Sequence, residues 1–358
     1  MNKHNTKYAG VDLGDKTSMI QILDQEGELV EETRLPTTER ALERKFGNRD
    51  SMKIAIEVGT HSRWVSRKLK GGYGHEVIVA NARALRLIYK NPRKSDRVDA
   101  AYLAKLVRLD QSLLGPIRHC GEAVQKHLAI LRSWDSLVKA RTKLINHIRG
   151  MVKSYGARLP GCSTESFVKK ARPVLPIVLR PALEPVLESI EELNKHISSY
   201  QKEIERLADE EYPETKSMCE IKGVGALTAL TFVLTLEDPG RFVNSRDVGP
   251  CLGLVPKRDQ SGEHDPERHI TKTGDTYLRN LLVGSAHYNL GPYGQDSRLR
   301  RWGLKLAERG GKNAKKRAVV AVARKLGVLL HKLWVSGEEY DPFYGSQEQP
   351  VAMEEAVI

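Results

Sequence analysis

Residues 8–34 read YAGVDLGDKTSMIQILDQEGELVEETR, and this stretch decides the fold of the N-terminal part of the chain. It contains three runs of strand-forming residues, and Gln25-Glu26-Gly27 is a typical hairpin turn between the last two. The three predicted strands occupy residues 8–14, 17–24 and 28–34. Three strands joined by short connections predict a meander at the start of the chain.

Helices and strands alternate after this meander. A helical stretch at 38–46 precedes the apolar run MKIAIEV at 52–58, and a helix at 61–70 precedes HEVIVAN at 75–81. The continuous apolar run is typical of a strand in the centre of a sheet. The sequence therefore predicts an α/β domain over residues 1–115, with a mixed sheet covered by helices.

Composition restricts the class of protein. The chain has 358 residues, of which 40% are hydrophobic and 29% charged, as in a soluble globular protein of two or three domains. No apolar run approaches the roughly 18 residues of a membrane span, and the strand pattern begins too early for a signal peptide. The four cysteines have the spacing of neither a zinc site nor a disulfide framework. We therefore expect a cytoplasmic protein without a membrane partner.

The predicted middle region, residues 116–215, is helical. Apolar residues alternate steps of three and four over 183–207, which is the seam of a coiled coil. The seam comprises Leu183, Val186, Ile190, Leu193, Ile197, Tyr200, Ile204 and Leu207. The helix at 122–155 could pair with it inside the chain, or the seam could form a homodimer; we favour dimerisation.

The third predicted region, residues 216–340, is mainly helical and is followed by a loose tail at 341–358. Ile221-Lys222-Gly223-Val224-Gly225 opens a helix through a glycine turn, and further helices are predicted at 276–290 and 314–334. The turn resembles a helix-hairpin-helix motif, whose backbone N–H groups can hold a phosphate. A plain glycine helix start is the alternative for Lys222, Gly223 and Gly225.

The positive charge is concentrated in one segment. The chain carries a net charge of +13, and Arg298 to Lys332 contributes +11 of it, with Glu308 as its one acid. A solvated helix face is the plain explanation, but a segment of one sign favours contact with nucleic acid phosphates. The candidate contacts are Arg300, Arg301, Lys312, Lys315, Lys316 and Arg317.

Four carboxylates are candidates for chemistry. Asp12 and Glu57 each stand in an apolar strand, where an ionised group is costly unless it is paired or binds a cation. Asp96 and Asp99 follow Ser95, a predicted N-cap, and project from one side of a helix. Mg²⁺ prefers such oxygen ligands, and two ions about 3.5–4 Å apart can stabilise phosphodiester displacement.

Each carboxylate also has a structural explanation. Asp12 could satisfy a turn at the end of its strand, and Asp96 could be a helix-start charge beside Lys94 and Arg97. Considered together, and in this order along the chain, the four favour a metal site.

The order strand-Asp, strand-Glu, helix Asp-x-x-Asp resembles the RuvC-like nuclease domains of the RNase H superfamily. The whole chain resembles the DEDD transposases of bacterial insertion sequences, a group that includes the Piv DNA invertases and the bridge-RNA-guided recombinases. The motifs that carry the resemblance across residues 8–290 are Gly10-Val11-Asp12-Leu13-Gly14, Ile56-Glu57-Val58-Gly59-Thr60, Lys94-Ser95-Asp96-Arg97-Val98-Asp99-Ala100, Ile221-Lys222-Gly223-Val224-Gly225, Phe242, Leu252-Gly253-Leu254-Val255-Pro256, Gln260-Ser261-Gly262 and Ile270-Thr271-Lys272-Thr273-Gly274-Asp275.

The resemblance implies an RNase H-like catalytic domain, a helical coiled-coil middle and a mainly α transposase domain. It implies that Asp12, Glu57, Asp96 and Asp99 hold two Mg²⁺ ions, with Mn²⁺ as a substitute, and that Ser261 attacks DNA. Gly262-Glu263 stands where relatives often have Gly-Lys, and Gln-Ser-Gly is also an ordinary polar turn. The implied partners are donor and target DNA, a structured bridge RNA and further copies in a homodimer or homotetramer, at the bacterial nucleoid.

Three other functions compete with this one. A RuvC-like structure-specific endonuclease would use water instead of Ser261. The stretch Asp12-Leu13-Gly14-Asp15-Lys16-Thr17-Ser18 also resembles the phosphate loop of actin-like ATPases and sugar kinases, but a second Asp-x-Gly strand in the right order is missing. A non-catalytic nucleic-acid scaffold would keep all its activities when the acids are replaced.

Overall fold

The computed structural model describes residues 6–83, 85, 95–262 and 268–344. Lys94, Glu263 and most of the predicted tail lie outside these residues. The chain forms two compact units, Met1–His119 and Cys120–Ile358, called here the first and second unit. The first unit contains β1 (Tyr8–Leu13), β2 (Thr17–Leu23), β3 (Leu29–Pro36), α1 (Glu39–Phe46), β4 (Lys53–Glu57), α2 (Ser62–Arg67), β5 (Glu76–Ala80) and α3 (Asp96–Leu109).

The first unit is built on a five-stranded mixed sheet in the order β3-β2-β1-β4-β5. The meander β1-β2-β3 is antiparallel, and β4 and β5 add to the other side of β1 in parallel. This confirms the predicted strands and their mixed arrangement. Side chains on a strand alternate between the two faces, so each face has its own core.

The two faces of the sheet are covered by different helices. On one face Val11, Ile20 and Ile56 pack with α1 and with Val65 of α2. On the other face Ala55 packs with Leu103 and Val107 of α3, a group that Tyr8 also joins. Because Tyr8 begins β1 and Val107 lies late in α3, the helix runs against the direction of β1.

Gly10 lets α3 lie directly on β1. A Cβ atom placed on Gly10 would lie 2.0 Å from the carbonyl oxygen of Ala100 and 2.4 Å from the backbone nitrogen of Ala104. The contact is between two backbones, so no side chain can move aside to make room. The glycine therefore fixes the distance between helix and sheet beside Asp12.

Gly10→Ala is expected to destabilise the folded protein by about 1–3 kcal/mol, because backbone must shift to admit one methyl group. Thermal unfolding followed by circular dichroism should show a melting temperature several degrees lower. Gly71→Ala in the same unit is the matched control, since its Cβ would meet nothing within 4 Å. Equal stability of the two variants would contradict the close contact of α3 with β1.

The second unit is helical. Its helices are α4 (Glu122–Ser154), α5 (Phe167–Ala171), α6 (Arg180–Arg206), α7 (Thr215–Cys219), α8 (Ala226–Leu236), α9 (Val248–Cys251), α10 (Thr276–Leu290), α11 (Arg298–Glu308) and α12 (Ala314–Ser336). The predicted helices at 122–155, 276–290 and 314–334 correspond to α4, α10 and α12. The helix α11 was not predicted as a helix, and its residues were recognised only as part of the basic segment.

Five of the eight residues of the apolar seam are buried within the chain, and Val186, Leu193 and Tyr200 are half-buried. Leu183, Leu187 and Ile190 pack with Ile148 and Val152 of α4. Ile190 has no exposed surface, and Ile197 is 7% exposed. The two long helices thus form a hairpin, and the preference for a dimer through this seam was wrong: the α4 partner, which the sequence left open, occupies it.

The structure differs from the predicted boundary near residue 215. Ile204 and Leu207 share a core with Leu131, Leu230 and Tyr277, so the end of the hairpin packs into the C-terminal helices. Helical periodicity shows which side of a helix is buried but not what buries it.

No helix in the described ranges combines the length and apolarity that crossing a membrane requires.

Candidate functional site

Asp12 and Glu57 lie at the same edge of the sheet. The parallel register pairs Val11 with Ile56, so the next residues along β1 and β4 are neighbours. Alternation places Asp12 on the face of Gly10, and Glu57 on the face of Ala55, which is the face covered by α3. Both carboxylates are partly exposed at the ends of their strands. The edge is thus acidic and accessible.

The first turn of α3 brings Asp99 to this edge. The side chain of Ser95 accepts a hydrogen bond from the Val98 backbone nitrogen, which confirms the predicted N-cap. Since Ala100 lies over Gly10 and the helix opposes β1, the preceding residue Asp99 lies towards Asp12. Asp99 is only 8% exposed. Its charge is therefore poorly hydrated and suited to a nearby cation.

Asp96 has a different partner in this structure. Its Oδ2 accepts a hydrogen bond from Nη2 of Arg34 at 2.9 Å, in an ion pair whose two side chains are more than half exposed. Arg34 belongs to β3, which is separated from β1 by β2. The neighbouring Arg97 pairs with Glu32 of β3 at 2.6 Å. The start of α3 is thus attached to the outer strand through Asp96.

The donor set matches a hard cation in chemistry. All four candidates are carboxylates, the ligand type that Mg²⁺ and Mn²⁺ favour. Within the described residues, however, no three His, Cys, Asp or Glu side chains are close enough together to hold a metal ion. Three of the candidates share an edge and a face, whereas Asp96 would have to leave Arg34 to join them.

A hydrogen-bonded turn follows Glu57 and was not predicted. Ser62 donates to the carbonyl oxygen of Gly59 at 2.7 Å and accepts from Gly59 N–H at 3.0 Å. Nε2 of His119 lies 2.9 Å from the same hydroxyl oxygen. Because the hydroxyl proton of Ser62 is donated to Gly59, Nε2 of His119 is the donor in this contact. Burial and the charges of Arg63 and Arg67 lower the pKa of His119. His119 is remote in sequence, so periodicity could not reveal this contact.

Ser261 lies in an exposed loop of the second unit. The arms of the loop pair through Pro256 and Ile270, with Lys257 N–H donating to the carbonyl oxygen of His269 at 2.9 Å. Ser261 is exposed, and Gly262 after it has a φ of 58°, which a glycine adopts without strain. The loop therefore exposes the primary hydroxyl of Ser261, and backbone pairing between its two arms holds the loop at its start and end.

The predicted glycine turn precedes α8. Gly223 has a φ of 96°, and a Cβ there would lie 2.9 Å from Cδ1 of Tyr288 on α10. Gly225 is the N-cap of α8 and is exposed, as is Lys222. Gly223 thus has a packing role, while Gly225 and Lys222 remain accessible for a phosphate.

The basic candidates divide into two groups. Arg300 donates to the carbonyl oxygens of Asn289 and Gly291, and so satisfies the end of α10. Arg301 pairs with Asp296 at 2.7 Å and lies over the ring of Phe343. The side chains of these two arginines are thus engaged in contacts within the protein, which the charge count could not show. The exposed members of the set are Lys312, Lys315, Lys316 and Arg317.

Comparisons with known proteins agree with these features. Residues 9–157 match a family model described as transposase, of the DEDD type, and residues 216–293 match one described as transposase of the IS116/IS110/IS902 family. The transposase for insertion sequence element IS1111A of Coxiella burnetii is 30% identical over 260 residues, covering 70% of each chain. A putative transposase of Sinorhizobium fredii is 29% identical, covering 80% of this chain and 74% of the relative. The transposase for element IS1328 of Yersinia enterocolitica is 26% identical, covering 79% and 83%.

Proposed function

Since the chain belongs to the IS116/IS110/IS902 family of transposases and is an enzyme acting on DNA, we propose that it cleaves and rejoins DNA through Ser261. The acidic edge of the first unit carries this proposal. Asp12, Glu57 and Asp99 lie there on one face, and the RuvC-like, RNase H-like resemblance implies these three positions together with Asp96. Water would replace Ser261 in a plain RuvC-like endonuclease.

The family match supports the use of a divalent metal. Asp12, Glu57, Asp96 and Asp99 would hold two Mg²⁺ ions, for which Mn²⁺ can substitute. Bound there, such ions stabilise negative charge on the attacking and departing oxygens of a phosphodiester. Asp96 would exchange Arg34 for this site, and the Ser62–His119 contact would keep the turn after Glu57 in place.

Ser261 would form the covalent intermediate. Its Oγ would bond to phosphorus and lose its proton to solvent, while the bond to one sugar oxygen breaks and that oxygen takes up a proton as a free hydroxyl. The reverse reaction with the hydroxyl of another strand would release the serine and join the new ends. Each step exchanges one phosphodiester for another, so no external energy source is needed.

The nucleic acid would be bound by the second unit. We propose donor and target DNA as substrates and a structured bridge RNA as the guide, contacted by Lys222, Gly225 and the exposed group Lys312, Lys315, Lys316 and Arg317. A homodimer or homotetramer would bring together the strands that are exchanged. The coiled-coil hairpin would not supply that interface through its seam, because α4 and α6 already share it.

Changing Lys312, Lys315, Lys316 and Arg317 together to glutamine should weaken binding to duplex DNA. Up to four phosphate contacts would disappear, so the slope of log K against log salt should become shallower by up to about 3.6. The measurement is fluorescence anisotropy across a salt series. Lys143→Gln with Lys202→Gln, both exposed on the hairpin, is the control and should leave the slope unchanged. A slope unchanged in the fourfold variant would place the DNA surface elsewhere.

Metal removal tests the reaction itself. With labelled donor and target DNA and the RNA that copurifies, strand cleavage should require Mg²⁺ or Mn²⁺ and stop when a chelator is added. Binding measured in the same samples should persist, because the basic group needs no metal. Cleavage at full rate in the chelator would exclude the carboxylate site as its cause.

A further inference from the structure

A cleft of about 800 Å³ opens in the second unit between α11, α12 and the segment after α12. Val328 and Leu329 of α12 contribute an apolar lining, and Tyr340 and Tyr344 of the segment after α12 also line the cleft. Its positively charged lining residues are Arg246, Arg298, Lys325 and Lys332. This volume lies within the roughly 300–1,000 Å³ typical of ligand pockets.

The carboxylates of the cleft do not neutralise this charge in full. Asp247 accepts a hydrogen bond from the Asn244 backbone nitrogen at 3.3 Å, and Asp341 accepts one from Phe343 at 2.8 Å. They therefore stabilise turns, and the four cations outnumber them. Burial, with the charges of Arg298 and Arg324, lowers the pKa of Lys325. An anion in the cleft would relieve this repulsion.

Aromatic rings stand beside the lysines. Nζ of Lys325 lies 3.8 Å from the ring centroid of Trp302, and Nζ of Lys332 lies 3.9 Å from that of Tyr344. Tyr344 is 60% exposed. Cations along a groove with an accessible aromatic ring are the combination by which proteins bind single strands, since the cations hold phosphates and the ring stacks on a base.

We propose that this cleft binds a short single-stranded segment of nucleic acid, with phosphates at Lys325 and Lys332 and a base on Tyr344. Bases inside a duplex are stacked on one another and cannot reach such a ring, so an unpaired segment is favoured. RNA and DNA offer the same phosphate and base chemistry here. The inference rests on the proposed function for its partner class, and it separates this cleft from the exposed group on Lys312 to Arg317.

The test is fluorescence anisotropy without metal, using labelled oligo-dT and oligo-rU of about 12 nucleotides and a duplex of equal length. Lys325→Gln with Lys332→Gln should weaken single-strand binding about tenfold and make the salt slope shallower by about 1.4. Tyr344→Leu should weaken it about fivefold or more, and Tyr344→Phe should restore it. Lys143→Gln with Lys202→Gln removes the same charge from the exposed side of the α4–α6 hairpin, outside the cleft, and should change single-strand binding less than about twofold.

Equal losses in the two lysine pairs, or unchanged binding in the cleft pair, would overturn the proposal. So would a loss on the duplex as large as that on the single strands. If the Lys325→Gln, Lys332→Gln variant fails to fold in a melting experiment, the single-strand binding of Tyr344→Leu is compared with that of Tyr344→Phe. These variants should fold because the Tyr344 ring is exposed. The preferred oligonucleotide separates a guide-RNA segment from an opened DNA strand. If metal-dependent strand cleavage is observed but the cleft variants bind single strands normally, the proposed reaction stands and the cleft proposal is rejected. If the cleft variants lose single-strand binding but the protein does not cleave DNA, only the proposed reaction is rejected.

Discussion

Asp12→Asn is expected to reduce metal-dependent strand cleavage at least about a hundredfold in a protein that still folds and binds nucleic acid. The substitution keeps the shape of the side chain and removes its charge. Asp12 lies beside Glu57 at the edge where β1 and β4 end, with Asp99 of α3 over the same face. A neutral amide there would bind Mg²⁺ weakly, while the basic groups of the second unit are untouched.

The measurement is a single-turnover cleavage rate on labelled DNA, with circular dichroism to verify the fold. Asp15→Asn is the matched control, because Asp15 lies just two residues after the end of β1 but is 92% exposed and near His61. Its rate should stay within about twofold of the wild type. A folded Asp12→Asn protein that cleaves as fast as Asp15→Asn would remove the acidic edge from the mechanism.

Ser261→Ala is expected to abolish the covalent protein–DNA adduct and with it strand cleavage, while binding stays normal. Alanine removes only the hydroxyl, and no folding defect is expected because Ser261 is exposed. Denaturing gels with labelled DNA show the adduct as a slow band. Cleavage without any adduct would indicate attack by water, and hence a RuvC-like endonuclease.

Ser245 and Ser285, the serines on either side of Ser261 in the sequence, are unsuitable as controls. Ser245 is hydrogen-bonded at 3.0 Å to Nδ1 of the buried His331, and Ser285 is 5% exposed on α10. Alanine at either position would disturb packing or leave a polar group unsatisfied. Ser199 is exposed on α6. Ser199→Ala should therefore form the adduct at the wild-type rate.

Much of the first unit could be predicted because its signals are local. Strand alternation at Val11 and Ile56, and the N-cap at Ser95, depend on neighbours in sequence and were confirmed. The five strands and their mixed sheet follow from such patterns. The meeting of Asp12 and Glu57 at one edge depends instead on the parallel pairing of β1 with β4, which joins distant residues and is known from the fold.

The features that sequence reasoning missed depend on distant residues. Arg300 has the appearance of a phosphate contact in a basic run, but it binds carbonyl oxygens at the end of α10. The seam of α6 is periodic whichever helix covers it, so only the fold identifies α4 as its partner. The ion pair of Asp96 with Arg34 likewise joins residues from separate elements. Charge and periodicity define a surface without defining what contacts it.

The most direct measurement identifies the residue that carries DNA after a trapped reaction, by mass spectrometry of the digested adduct. We predict a nucleotide phosphate on Ser261 in the wild-type protein with Mg²⁺, and none in Asp12→Asn or when a chelator is present. DNA attached to another residue, or an adduct that forms equally well in Asp12→Asn, would contradict it.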